Sequence, residues 1–323
     1  MPLYNEGSLV DDALASVQAQ SFQAWELVVV DDGSTDGSPA TVAGASRHDP
    51  RIRLLRQENS GGPARPRNRG IEESRGKYVC FLDADDLFHP DKLQELVSAM
   101  EKVPDAHLVF SDMRVFTSDQ RPADGYSYLG RAEWHDQARP HLAPVEEGLH
   151  RCRDGFYRFM STTITSITTQ TVMVRRDALA RFDAPFDESL VIGEDIDLWF
   201  RLVLHGPVLF LDRCLGYYRR HDGNITGDAE KALIGFIQAH SRNLARAREV
   251  LDPAAVETIR RRIGESTFIL GYHHLRHGRF AEARRHYLAS LPDVDRRKVV
   301  AAYLKSWVHQ GIHVLGLPPA RAG

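Results

Sequence analysis

Apolar residues in the first third of the chain come in short unbroken runs that end abruptly in acid. Val28-Val29-Val30 stops at Asp31-Asp32-Gly33-Ser34, and Phe81-Leu82 stops at Asp83-Ala84-Asp85-Asp86. A run of this kind, without polar alternation, reads as a strand buried on both faces, as in a parallel sheet. Leu9, Val10, Ala13, Leu14 and Val17 recur instead at helical spacing. The pattern predicts helix over 8–20, strand over 25–30, helix over 34–45 and strand over 51–55. A break at Gly61-Gly62-Pro63 then precedes a helix reaching 74, a strand over 77–82, a helix from Pro90 with proline in its first turn, and a strand over 108–110. Strands alternating with helices imply right-handed crossovers and a mostly parallel sheet. Pro2-Leu3-Tyr4 reads as only the end of a first strand, so the natural chain is expected to start upstream, with Met1 an internal methionine.

From 114 to 169 the pattern loosens into polar, Gly- and Pro-containing sequence with scattered aromatics, as in a substrate loop. Order returns with a strand over 171–174. Gly193-Glu194-Asp195-Ile196-Asp197 then opens a helix carrying Leu198, Trp199, Phe200 and Leu202, and a late strand covers 214–221. The last hundred residues read as four helices, 229–250, 253–276, 279–291 and 296–315. In them, Leu270-Gly271, Gly278, Phe280, Ala283 and Tyr287 have spacings similar to one tetratricopeptide repeat. The expected organisation is a nucleotide-binding half over 1–112, an acceptor-binding half over 113–226 and a helical extension over 227–323.

Composition changes this picture little. A hydrophobic content of 42% and a net charge of -3 are ordinary for a globular protein and leave no nucleic-acid footprint. Three scattered cysteines give neither a metal spacing nor a disulfide framework and fit a reducing compartment. No run of eighteen apolar residues and no signal peptide is present, so a cytoplasmic location is expected, extending to the inner face of the cell membrane. The acids matter more. Ligands of open α/β sheets sit at the carboxyl ends of strands, so both acidic clusters are expected in one crevice. Crowded carboxylates repel one another and any phosphate unless a divalent cation lies between them, and oxygen-rich ligation suits Mg²⁺ or Mn²⁺. The implied ligand is a metal-bound diphosphate, most simply that of a nucleotide.

Nine motifs in a fixed order make the chain, over about residues 1–226, resemble the family 2 glycosyltransferases, which have the GT-A fold. They are Pro2-Leu3-Tyr4-Asn5-Glu6, Gln20-Ser21-Phe22 leading into Trp25-Glu26-Leu27, the stretch from Val30 to Ser38, Arg67-Asn68-Arg69-Gly70-Ile71, Gly76-Lys77-Tyr78-Val79, Phe81 to Asp86, Pro90-Asp91-Lys92-Leu93, Gly193 to Trp199, and Tyr218-Arg219-Arg220-His221. The resemblance implies that Tyr4 and Glu6 contact the nucleotide base and ribose. Asp31 or Asp32 binds the uracil, Asp31 being preferred, and the other caps the turn at Gly33-Ser34. Arg67 and Asn68 approach the nucleotide, although Pro63 and Pro66 flanking Arg65 leave Arg65 as an alternative to Arg67. Asp83 holds the ribose and Asp85 ligates the metal, Mn²⁺ or Mg²⁺, with Asp86 at a helix start or behind it. His221 reaches back to the metal or diphosphate. Asp195 is the catalytic base, Glu194 orients the acceptor, and Trp199 is either a sugar-stacking face or core.

The expected activity is inverting, metal-dependent transfer of a sugar from a nucleotide-sugar, a UDP-sugar, to a hydroxyl of a glycan or lipid-linked glycan in bacterial surface polysaccharide assembly. Two other readings remain. Sugar nucleotidyl transfer wants a Gly-rich, Lys- or Arg-bearing loop after the first strand, which Tyr4-Asn5-Glu6-Gly7 does not supply. A non-catalytic nucleotide-sugar or partner-binding protein has no need to keep Asp83, Asp85 and Asp195 together. The final helix sets Val299, Val300, Tyr303, Leu304, Trp307 and Val308 beside Arg296, Arg297, Lys298 and Lys305, a composition suited to peripheral membrane contact.

Overall fold

The computed structural model describes residues 1–314, and these divide into two units after Asn224. In the first, β1 (Pro2–Leu3), β2 (Leu27–Asp31) and β3 (Ile52–Arg56) form a three-stranded parallel sheet. They are joined through α1 (Leu9–Gln18) and α2 (Ser38–His48), and α3 (Ala64–Glu73) follows. All five residues of β2 are buried, as the unbroken Val run requires. Val10, Ala13, Leu14 and Val17 of α1 pack with Val29, Ile52 and Leu82, each large aliphatic side chain contributing roughly 1.5–3 kcal/mol by its burial.

The remaining strands are β4 (Tyr78–Cys80), β5 (Leu87–Phe88), β6 (Leu108–Thr117), β7 (Tyr126–Ser127), β8 (Leu142–Glu146), β9 (Leu149–Cys152), β10 (Val172–Arg175) and β11 (Val208–Arg220). They make a second sheet in the order β4-β10-β6-β11-β9-β8, with β5 on β11 and β7 on β6. Only β6 and β11 run parallel there; the other pairings are antiparallel. The sheet arrangement is therefore mixed rather than mostly parallel. Crossover helices enforce parallel pairing up to β3, whereas β10 enters against both β4 and β6, and β8–β9 is a hairpin.

Two further expectations are corrected. The second helix starts at Ser38, not 34, because side chains capture the backbone first. Asp31 Oδ1 accepts from Ser34 N–H (3.0 Å), and Asp36 Oδ1 from Ser38 N–H (3.0 Å). The 114–169 segment is also built rather than irregular. It holds the end of β6, strands β7 to β9 and two short helices, α5 (Trp134–Ala138) and α6 (Phe156–Thr162). After α4 (Lys92–Lys102) and α7 (Arg176–Leu179), α8 (Glu194–His205) is the helix opened by Gly193.

The second unit holds α9 (Ala229–Ala247), α10 (Pro253–Arg276), α11 (Phe280–Ser290) and α12 (Arg296–Val314). Asp228 and Asp252 accept backbone N–H groups at the starts of α9 and α10. Gly278, at φ +73°, turns α10 into α11, and Gly271 lets Tyr287 approach where a Cβ would stand 2.8 Å from its ring. Leu275, Ala283, Tyr287 and Val299 form this unit's core. Leu315, the expected end of the last helix, lies outside the described residues. Among those described, no helix is long and apolar enough to cross a membrane.

Candidate active site

The acidic turn after β4 is the centre of the site, and strand β11 clasps it. Asp86 is fully buried; it accepts the backbone N–H of Arg219 at 2.8 Å and a hydrogen bond from the Gln170 amide. Arg219 Nε donates to the Asp85 carbonyl at 3.0 Å. Asp86 thus anchors the turn instead of facing a ligand. Burial, followed by Asp85 and Asp83, pushes its carboxyl well above the usual carboxylate range. Asp85 is left to project. Its Oδ2 meets His221 Nε2 and the Asn224 side-chain amide, each at 3.0 Å.

Glu6 arrives at the same place. One ligand atom each from Glu6, Asp85 and His221 lie within 4.8 Å of one another. Burial, then Asp85, Asp83 and Asp36, raise Glu6 to about 7. Burial and Asp83 also raise Asp85, against the pull of His221. Among the described residues no Lys or Arg forms an ion pair with Glu6. Two carboxylates and an imidazole, hard oxygen and borderline nitrogen donors, fit Mn²⁺ or Mg²⁺.

Arg67 joins this side of the site to α8. Only 6% exposed, its guanidinium donates to Asp83 Oδ1 at 2.6 Å and to Glu194 Oε1. Burial alone would lower the Arg67 pKa, but Asp83, Glu194 and Asp195 around it raise it. Burial and Asp195 push Glu194 up to about 8 despite Arg67. Asp195, half-buried beside it, accepts from Thr169 Oγ1 at 2.9 Å and from Ile196 N–H at 2.7 Å.

Several expected contacts move. Arg67 is committed to two carboxylates, so it ties the site together rather than offering itself to a phosphate or base; Arg65 is exposed. Asn68 is buried and spends both amide ends on the Phe186 backbone, at 2.8 and 2.9 Å, holding that loop. Asp31, not Asp32, caps the Gly33-Ser34 turn. Asp32 instead accepts from Gln57 Nε2 at 2.7 Å and Ser60 N–H at 3.0 Å. Trp199 is fully buried against Phe81 and Phe186 and is core. Tyr4 is half exposed. Asn224, Thr169 and Gln170 were not foreseen, because lone polar residues carry no periodicity or motif and Thr169 ends a segment read as loop; Arg219 lies in the Tyr218-to-His221 motif, but the motif does not show that it anchors the turn.

The family described as glycosyl transferase family 2 matches residues 1–180. The putative teichuronic acid biosynthesis glycosyltransferase TuaG of Bacillus subtilis is 28% identical over 72% of this chain and 81% of its own length. Among solved structures, S. aureus TarS residues 1–349 in complex with UDP-GlcNAc aligns with a TM-score of 0.61 and 17% identity, over 99% of this chain and 91% of that one. The mannosyltransferase PcManGT of Pyrobaculum calidifontis, in complex with GDP-Man and Mn2+, aligns at 0.54 and 16% identity, over 97% and 81%. The shared fold is GT-A.

Proposed function

Since the chain belongs to glycosyl transferase family 2 and is a glycosyltransferase, we propose that it moves a sugar from a UDP-sugar to a hydroxyl acceptor, with inversion at the anomeric carbon and a divalent cation at Asp85. The carrying observation is the buried Arg67 guanidinium, which binds Asp83 of the acidic turn and Glu194 at the start of α8. It holds the donor-side acids and Asp195 within one site.

In this reading Asp83 and Tyr4 take the ribose and base. Asp85 and His221 hold Mn²⁺ or Mg²⁺, which when bound stabilises charge on the leaving diphosphate. The acceptor hydroxyl is a weak nucleophile and needs a carboxylate to take its proton as the new bond forms. In this reading Asp195, which accepts a hydrogen bond from Thr169, takes that role, with Glu194 held by Arg67 beside it. The TarS complex with UDP-GlcNAc supports a UDP-sugar, and the name of TuaG supports a surface-polysaccharide acceptor, free or lipid-linked. A cytoplasmic location fits such a donor and such an acceptor.

The test is nucleotide release and transfer on a panel of UDP-, GDP- and dTDP-sugars with and without Mn²⁺. One UDP-sugar should respond, only with metal, and an α-linked donor should give a β-linked product by NMR. Asp195→Asn should lower turnover by about 10²–10⁴ while leaving donor affinity unchanged. A retained anomeric configuration, or full turnover in Asp195→Asn, would overturn the reading.

A further inference from the structure

Resting on the reading of a divalent cation at Asp85, we propose that Glu6 is a ligand of that same cation. Three separate segments then hold it: the loop before α1, the turn after β4 and the segment after β11. The family resemblance sends Glu6 to the nucleotide base and ribose, but the geometry points to the cation. Oxygen ligands about 2.1 Å from one ion lie up to ~4.2 Å apart across an octahedron. The Glu6, Asp85 and His221 ligand atoms, already within 4.8 Å of one another, therefore need only a small convergence.

The backbone that carries Glu6 is fixed on both sides. Asn5 N–H donates to Ser34 Oγ at 3.0 Å, and Asn5 Oδ1 accepts from Thr35 N–H at 2.8 Å. Gly7 N–H donates to Asp36 Oδ2 at 2.8 Å. Asn5 and Gly7 both adopt φ +56°, a left-handed conformation unusual for a residue with a side chain. The chain is thus bent at both neighbours of Glu6 and stapled to the 34–36 loop, a fixed mount for a metal ligand.

The neighbouring acids are each satisfied in another way. Asp83 has Arg67, and Asp86 has the Arg219 N–H and Gln170. Glu6 has no Lys or Arg partner among the described residues and faces Asp85 instead, an arrangement of like charges that a cation between them relieves. The other two ligands are held from behind. The His221 backbone N–H donates to Asn224 Oδ1 at 2.7 Å, and the Asn224 amide donates to Asp85 Oδ2 at 3.0 Å. Such outer contacts fix ligand orientation.

The experiment titrates MnCl₂ into the full chain without donor, read by calorimetry and by Mn²⁺ EPR, for wild type, Asp85→Ala, Glu6→Gln and Glu6→Asp. UDP binding is measured in parallel in EDTA, and melting curves check folding. Asp85→Ala should abolish Mn²⁺ binding. Glu6→Gln should weaken it at least about tenfold, Glu6→Asp should restore part of the loss, and metal-free UDP affinity should stay constant. Wild-type Mn²⁺ affinity in Glu6→Gln, with weakened UDP binding in EDTA, would overturn the proposal and return Glu6 to the nucleotide. Equal Mn²⁺ binding by wild type and Asp85→Ala would overturn the cation reading itself.

Discussion

At the scale of single residues, the site depends on one cation serving several anions. Arg67 lies in the interior with Asp83 and Glu194 on its guanidinium, and removing one partner of a buried pair leaves the other uncompensated. Arg67→Met should therefore destabilise the chain by roughly 3–5 kcal/mol, read from the denaturant midpoint, and a loss below about 1 kcal/mol would mean that water replaces the guanidinium. Glu194 gives a pH signature. In the fold its carboxyl sits at about 8, pushed up by burial and by Asp195, against an ordinary 4.5. Between those values the folded chain keeps a proton that the unfolded chain has lost, so this group's contribution to stability falls as pH rises. Glu194→Gln cannot ionise. Its melting temperature relative to wild type should climb from pH 5 to pH 8.5, and a constant difference across that range would contradict the shift. The acids of this site other than Glu6 were legible in the sequence because they follow an apolar run or open a helix. The partner of Arg67 was not, since a separation of 127 positions from Glu194 leaves no trace in local pattern. Asp31 and Asp32 show the same limit, because which of two adjacent acids turns back to Ser34 depends on the backbone, not on composition.

At the scale of elements, glycines separate what the fold needs from what it tolerates. Gly33 closes the turn after β2 at φ +78°, and a Cβ there would stand 2.9 Å from the backbone nitrogen of Asn59. Gly33→Ala should lower stability by about 1–3 kcal/mol. Gly70, inside α3, is different. A Cβ on it would meet only Val30 Cγ2, at 3.8 Å, an ordinary contact, so Gly70→Ala should raise stability by about 0.5–1 kcal/mol. Chemical denaturation of the two variants checks both signs, and a destabilising Gly70→Ala would show that α3 packs more tightly on β2 than this spacing allows. The same contrast explains how much of the fold could be read beforehand. Unbroken apolar strands and 3.6-period helices announce themselves, so β2 and α1 fall close to their expected places. The antiparallel entry of β10 between β4 and β6 has no such signal, because three apolar residues look alike whichever way they run. The hairpin of β8 and β9 was missed for a related reason, since most of its residues are only partly buried and show little alternation.

At the scale of the molecule, the chain passes after Asn224 into a unit of helices, and one face of that unit remains without a described partner. On α12, Val300, Leu304, Trp307 and Val308 are 42–61% exposed and recur at helical spacing on one side, while Val299 and Ser306 on another side are buried. Arg284 stacks on the Trp307 ring at 3.7 Å, and exposed Arg296, Arg297 and Lys305 accompany the apolar stripe. With a lipid-linked acceptor, we propose that this apolar face, bearing tryptophan and edged with cations, meets an anionic bilayer surface. Each basic residue near such a surface contributes about 1 kcal/mol, a term that salt screens within a Debye length of about 10 Å at 0.1 M. The full chain should therefore co-sediment with vesicles containing phosphatidylglycerol but not with pure phosphatidylcholine, and lose binding as salt rises to 1 M. Leu304→Ser with Trp307→Ser should abolish that binding without changing turnover on a soluble acceptor. Should the double variant instead convert a dimer to a monomer while vesicle binding is absent throughout, the stripe serves a second copy of the chain and the membrane assignment fails. The catalytic unit would then have to meet its acceptor without help from α12.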